Sequence, residues 1–152
     1  MDTVATVGIC EVFPGAVNSI PSRVHLTVDL RDTSLTRRDA AMRKIEAARQ
    51  SIALKRQVSI VEEMINADAP AQCSPEIIAA LSAACTKHRL PFIPMVSRAY
   101  HDSLFMSRIA PVAMLFIPCR NGYSHRPDEY AAPEDIERGV VVLAESLASL
   151  SS

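Results

Sequence analysis

A histidine lies in a polar, turn-rich loop directly after an uninterrupted apolar run. The apolar run covers residues 112–117, and the loop covers residues 118–130 with His125 near its middle. Such a run is typical of a central strand covered on both faces, and the ligands of open α/β sheets collect just beyond the carboxyl ends of such strands. An imidazole at this position could bind a metal ion. Spacing alone favours the simpler explanation, a surface histidine that caps the next helix.

Two polar residues nearer the N-terminus could bind a small anionic molecule. Asn18 lies in a Pro-Gly turn, where ordinary turn chemistry also accounts for an asparagine. Arg31 ends a segment of alternating polar and apolar residues, and a guanidinium can bind a carboxylate through two parallel hydrogen bonds. The alternative for Arg31 is an ion pair within its own strand, to Asp29 or Asp32.

Two further groups of titratable residues have simpler explanations. His101 directly precedes Asp102 at the start of a predicted short helix, so the imidazole could simply be fixed there by that acid. Glu62 and Glu63 look like a pair of metal ligands. They lie in a predicted strand, however, where alternation sends neighbouring side chains to opposite faces, so we expect no metal role for them.

The elements that must position these residues divide into two groups. In the first, hydrophobic periodicity predicts strands over residues 3–13, 24–31 and 58–65, and a helix over 35–55. This order is typical of the latter part of a two-layer α+β sandwich. The polar segment 66–73 is the predicted boundary, which gives domains of residues 1–66 and 67–152.

In the second group, helices and short strands alternate. Ser74, Pro75 and Glu76 have the types expected at a helix start, and Pro91 marks the end of that helix. Strands are predicted over 92–96 and 112–117, and helices over 102–109 and 132–150. The last helix is expected to bury one apolar stripe, formed by Ile136, Val140, Leu143, Leu147 and Leu150. The alternation predicts the edge of an α/β domain.

Composition excludes several classes of partner. The chain of 152 residues is 49% hydrophobic with a formal net charge of −1, and its basic residues are interleaved with acids, so no nucleic acid is expected. It contains no apolar run long enough for a membrane span, so no membrane partner is expected. The four cysteines lack paired spacing, and Cys10 and Cys85 lie in apolar patterns typical of buried thiols. A cytoplasmic location is therefore expected.

Three sequence motifs resemble one enzyme family. Residues 118–129, Pro-Cys-Arg-Asn-Gly-Tyr-Ser-His-Arg-Pro-Asp-Glu, resemble the signature PCR-x-G-x-SH-x-P-x-E of the zinc-dependent amidase/hydantoinase/carbamoylase family. Residues 14–21 and 28–32 are similar to its lid motifs PGA-x-N-x-IP and D-x-R-D. Residues 101–106 resemble HDA-x-x-M. This family includes allantoate amidohydrolase, N-carbamoyl-L-amino-acid hydrolase and beta-alanine synthase.

The resemblance implies a fold and a role for each candidate residue. The fold would be a partial two-layer α+β lid (dimerisation) domain followed by the C-terminal edge of an α/β metallopeptidase-like catalytic domain. Asn18 and Arg31 would bind the substrate carboxylate at the active site of a second subunit. His101 would be catalytic, donating a hydrogen bond to the substrate or to the oxyanion that forms. His125 would be a metal ligand.

The chain also departs from the family pattern. The family's other metal ligands and its general base have no match, so zinc or manganese is expected in the complete enzyme and not bound tightly by this chain. Arg98 and Tyr100 stand where the family has glycines, which alters the backbone beside His101.

The implied function is that of the C-terminal part of a metal-dependent hydrolase, which cleaves non-peptide C–N bonds of small ureido or amidino acids. We expect a homodimer through the lid and no activity from the isolated chain. The alternative is a noncatalytic dimerisation or substrate-binding fragment, or the partner of an N-terminal half encoded by an upstream frame.

Overall fold

The protein is a mixed α/β chain of two compact units. The computed structural model describes residues 3–151, so the predicted domain limits at residues 1 and 152 lie outside the described residues. The units are Met1–Pro70 and Ala71–Ser152. The elements are β1 (Val4–Phe13), β2 (Arg23–Arg31), α1 (Leu35–Arg56), α2 (Pro75–Lys87), α3 (Ser103–Met106), a 3₁₀ turn (Arg120–Gly122) and α4 (Pro133–Leu150).

In the first unit, β1 and β2 form an antiparallel hairpin with a bulge. Val7 lies opposite Val28 and Ile9 lies opposite Thr27, so Gly8 is an extra residue in β1. The bulge shifts the alternation of β1 by one position, which brings apolar residues from both sides of the bulge onto the face that carries the apolar residues of β2. That face comprises Ala5, Val7, Cys10, Val12, Val24, Leu26, Val28 and Leu30. Arg23, His25, Thr27, Asp29 and Arg31 lie on the other face.

Asp32 joins the hairpin to α1. Its side chain is fully buried and accepts hydrogen bonds from Arg37 Nη2 at 2.6 Å, from the backbone N–H of Ser34 at 2.8 Å and from the hydroxyl of Thr3. The hydrogen bonds from Arg37 and then Thr3 hold the pKa of Asp32 well below its usual value. The predicted helix over 35–55 is confirmed, and Ser34 is its N-cap.

Three predicted strands are wrong. Residues 58–65, 92–96 and 112–117 belong to no sheet, since β1 and β2 make up the one sheet found in residues 3–151. A strand forms only when its backbone hydrogen-bonds to a neighbouring strand. An apolar run does not guarantee that such a neighbour is present. Residues 112–117 are also not covered on both faces, because Phe116 is 50% exposed.

In the second unit, α2 packs against α4 through small side chains. The buried residues are Ala84 and Cys85 of α2 and Val142 of α4, with Leu81 and Leu90 packed around them. Lys87 Nζ donates to Glu145 Oε1 at 2.6 Å across the two helices, and this hydrogen bond lowers the pKa of Glu145. The helix starts predicted at Ser74 and at residues 132–135 are confirmed.

Some apolar residues expected in the core are exposed. The predicted buried stripe of α4, which includes Val140 and Leu147, is wrong for this chain, because both residues are about 60% exposed and the buried face is formed by Val142 and Ser146. Cys85 is buried as predicted, whereas Cys10 is exposed. Periodicity identifies an apolar face but not what covers it. Within residues 3–151, the helices include none that is long and apolar enough to cross a membrane.

Candidate functional site

Arg31 ends β2 on the polar face of the hairpin, and its guanidinium binds Asp29. Nε donates to Asp29 Oδ1 at 2.7 Å and Nη2 donates to Oδ2 at 2.5 Å. These hydrogen bonds lower the pKa of Asp29 and raise that of Arg31, so both groups are charged at neutral pH. The Arg31 side chain remains 45% exposed. The intrastrand pair considered from the sequence is therefore present, and a bound carboxylate would meet a guanidinium already oriented by Asp29.

Asn18 lies in the connection between β1 and β2. The connection contains a turn in which the backbone N–H of Ser19 donates to Ala16 O at 3.4 Å, and Gly15 has a φ of 72°. Asn18 is exposed, and so are its apolar neighbours Val17 and Ile20. The hairpin therefore places Asn18 at its turn and Arg31 at its far end, where Arg31 pairs with Val4. Their predicted joint role in substrate binding stays a prediction.

His101 is exposed immediately before α3, and Ser103 holds its ring. The ring atom Nδ1 lies 3.3 Å from the backbone N of Ser103 and 3.2 Å from its Oγ. Asp102, which the sequence offered as the group that fixes this imidazole, makes no side-chain capping hydrogen bond to α3. With Nδ1 bound to Ser103, the ring can offer Nε2 to another molecule.

An aromatic cluster stands beside His101. The Tyr100 ring meets the Phe105 ring edge to face, with centroids 5.8 Å apart and an interplanar angle of 78°. The guanidinium of Arg108 lies 5.0 Å from the Phe105 centroid. Tyr100 is half exposed. A side chain thus fills space beside His101 that a glycine would leave open.

His125 is exposed in the loop after residue 117, in a backbone conformation that side chains seldom adopt. Its φ is 58°, in the left-handed region, which costs roughly 1 kcal/mol for a residue with a Cβ. The backbone N–H of His125 donates to Glu129 Oε2 at 2.7 Å and stabilises this conformation. The imidazole itself makes no hydrogen bond or ion pair to any residue in 3–151, so it is available to a ligand.

Internal contacts fix the shape of this loop. The backbone N–H of Arg120 donates to Tyr130 O at 2.8 Å, and the Arg120 guanidinium lies 4.5 Å from the Tyr130 ring centroid. Arg126 lies 4.0 Å from the Tyr123 centroid and donates to Asp128. These contacts join the two ends of the loop and hold the chain in place on both sides of His125.

The described residues do not form a metal site by themselves. No three His, Cys, Asp or Glu side chains in residues 3–151 lie together in a way that could hold a metal ion. A catalytic zinc site uses three protein ligands and leaves a position for water, whereas this loop offers one imidazole. Glu62, excluded above as a ligand, forms an ion pair with Arg49 Nε at 3.0 Å.

The sequence and the backbone of this chain match known proteins. A model of peptidase family M20/M25/M40 matches residues 3–149. The chain belongs to this family. Among its M20/M25/M40 relatives, it is 50% identical over 152 residues to a ureidoglycolate hydrolase from Arabidopsis thaliana, which covers 99% of this chain and 32% of that protein. It is 39% identical over 145 residues to an N-carbamoyl-L-amino-acid amidohydrolase from Pseudomonas, which covers 95% of this chain and 35% of that protein.

Solved structures of M20/M25/M40 relatives share the backbone. The crystal structure of AtUAH in complex with glyoxylate superposes with a TM-score of 0.88 at 50% identity, over 99% of this chain and 36% of that one. An amidase of the hydantoinase/carbamoylase family from Burkholderia multivorans gives a TM-score of 0.85 at 36% identity, over 98% of this chain and 36% of that one. The predicted family is confirmed, and the chain spans about a third of the length of these relatives.

Proposed function

We propose that this chain is the part of a metal-dependent amidohydrolase that carries the substrate-binding Asn18 and Arg31, the hydrogen-bond donor His101 and the metal ligand His125. The reaction is hydrolysis of a C–N bond in a small ureido or amidino acid. Zinc or manganese would activate water in the complete protein, with most ligands supplied outside this chain. The loop around His125 would contribute one imidazole to that ion.

Ureidoglycolate is the substrate that we favour. The observation that carries this choice is the 50% identity to a ureidoglycolate hydrolase over 99% of the chain, against 39% for the N-carbamoyl-L-amino-acid amidohydrolase. The AtUAH complex contains glyoxylate, a two-carbon carboxylate. The charged guanidinium of Arg31, oriented by Asp29 and with its side chain 45% exposed, would attract a carboxylate of this size.

His101 would act on the ureido group of the substrate. A ring held through Nδ1 can donate from Nε2 to the carbonyl oxygen of the ureido group, and the negative charge on that oxygen grows as the tetrahedral intermediate forms. Removal of one such donor typically costs about 100-fold to 1000-fold in kcat. Tyr100, fixed against Phe105 beside this donor, would favour a substrate with little bulk next to the ureido group.

A chimera tests the proposal. This chain would replace the matching third of the Arabidopsis thaliana relative, and ammonia release from ureidoglycolate, allantoate and N-carbamoyl amino acids would be compared. We expect ureidoglycolate to give the highest kcat/KM, and His101→Ala to lower kcat on it about 100-fold or more. A chimera that folds, binds metal and prefers either of the other substrates would contradict the substrate assignment.

A second candidate function is assembly without catalysis. The observation that favours it is the exposed apolar face of the hairpin, on which Val7, Leu26 and Val28 are each about half exposed. Such faces are unusual on soluble monomers and mark interfaces. The chain would then form a homodimer through the lid, or join an N-terminal half made from an upstream frame. Sedimentation at tens of micromolar would show a strictly monomeric chain if this candidate is wrong.

A further inference from the structure

The contact between His101 and Ser103 determines where the imidazole proton resides. A backbone N–H can only donate, and that of Ser103 lies 3.3 Å from Nδ1 of His101 in hydrogen-bonding geometry. Nδ1 must therefore present its lone pair. A neutral imidazole carries one proton, so that proton is on Nε2.

We propose that Ser103 is a positioning residue that fixes the neutral ring of His101 as the Nε2–H tautomer. A proton on Nδ1 would face the N–H of Ser103 and would leave that backbone donor without its acceptor, which is unfavourable. The hydroxyl of Ser103, 3.2 Å from Nδ1, can turn its hydrogen toward the same lone pair. The family motif has alanine at this position, so this chain adds a second donor to the one that the backbone supplies.

The consequence for catalysis rests on the proposed function. There, His101 needs a hydrogen on the nitrogen that faces the substrate, and the tautomer with a bare Nε2 would repel the developing oxyanion. Ser103 would keep the useful tautomer populated before any substrate arrives. The tautomer itself is a property of the free chain, so it can be measured whether or not the chain takes part in ureido hydrolysis.

The experiment is long-range 1H–15N NMR of the 152-residue chain at about pH 8.5, where an ordinary imidazole with a pKa of about 6.5 is neutral. The chemical shift of each ring nitrogen reports whether it carries hydrogen. His101→Ala assigns the His101 signals. His125 is the internal reference, because its ring has no hydrogen-bond partner within residues 3–151. Ser103→Ala removes the hydroxyl, and Ser107→Ala, whose hydroxyl donates to Leu104 O at 2.7 Å in the same helical segment, is the matched control.

We expect the Nδ1–H fraction to be smaller at His101 than at His125. Ser103→Ala should raise the Nδ1–H fraction at His101 about fivefold, the factor that corresponds to one ordinary hydrogen bond, while Ser107→Ala should leave it unchanged. An Nδ1–H fraction at His101 equal to or above that at His125 would overturn the proposal. So would an equal response to the two serine substitutions.

Discussion

Arg31 and Asp29 lie two residues apart on the same face of β2, and the arginine binds both carboxylate oxygens of the aspartate. Alternation along the strand puts them side by side, because residues i and i+2 share a face. The aspartate therefore orients the guanidinium along the strand, and the arginine remains charged. The D-x-R-D motif thus couples a candidate substrate-binding residue to the residue that orients it.

Arg31→Ala should weaken substrate binding in the chimera. Loss of a guanidinium that attracts the substrate carboxylate should raise KM for ureidoglycolate roughly 10-fold to 100-fold, with a smaller effect on kcat. Arg23→Ala is the matched control, since Arg23 lies on the same face of β2 and stacks 4.2 Å from the Phe13 centroid. Equal changes in KM for both variants would show that the effect comes from the hairpin and not from carboxylate binding.

Asp32→Asn should destabilise the first unit at neutral pH. The folded chain holds the pKa of Asp32 below its usual value of 3.8, so the carboxylate stabilises the fold above that pH and its contribution is lost as the pH falls through the folded pKa. The melting temperatures of the two proteins should therefore differ at pH 7, begin to converge only below about pH 3.8, and meet once the pH has fallen through the folded pKa. Asp39→Asn, at a 46% exposed side chain, should change little at either pH.

Gly139→Ala should destabilise the second unit. A Cβ at Gly139 would lie 2.7 Å from Ile117 Cγ2, so either α4 or the Ile117 side chain must move. The gain of about 1 kcal/mol in helix propensity is opposed by an overpacking cost of about 1–3 kcal/mol. We expect a melting temperature lower by about 5 °C, measured by circular dichroism. Glu137→Ala, at an exposed position of α4, is the control. A rise in melting temperature on Gly139→Ala would contradict this expectation and would show that the Ile117 side chain moves aside at little cost.

Local signals in the sequence were sufficient for the starts of α1, α2 and α4, whereas the helix predicted over 102–109 is only the four residues Ser103–Met106. Ser34 and Ser74 are N-caps as their types and spacing indicated, and the hairpin register agrees with the alternation of β2. Long-range pairing was not predictable in the same way. Residues 58–65 and 112–117 have the composition of strands, but a strand also needs a neighbour, which composition does not specify.

The candidate site, like the fold, was predictable only in part. Motif matches identified His101, His125 and Arg31, yet no periodicity could show that His101 binds Ser103, because that contact depends on ring orientation before a four-residue helix. The buried Asp32 was also missed as a structural residue. Its signal was available, since an aspartate two residues before a serine N-cap can accept from the cap backbone.

His125→Ala should abolish both metal binding and turnover in the chimera. Removing an imidazole ligand should lower the amount of bound zinc and reduce kcat about 100-fold or more. Even the loss of a residue that only hydrogen-bonds a metal ligand typically lowers metal affinity or activity 10-fold to 100-fold. His25→Ala is the control, because His25 Nδ1 contacts Glu11 Oε2 at 3.0 Å on the polar face of the hairpin. Metal analysis and ammonia release on the same samples would decide. Unchanged zinc content with His125→Ala would rule out the ligand role.

The proposed function is tested most directly by ammonia release from ureidoglycolate. The isolated chain and the chimera would be compared in the same assay, each supplied with zinc or manganese. Only His125 matches a metal ligand of the family, and residues 3–151 contain no cluster of metal ligands, so we expect no tight zinc binding by calorimetry and no turnover from the isolated chain. The chimera should turn over, and His101→Ala should remove most of that activity. Turnover by the isolated chain, lost on His125→Ala, would contradict the account.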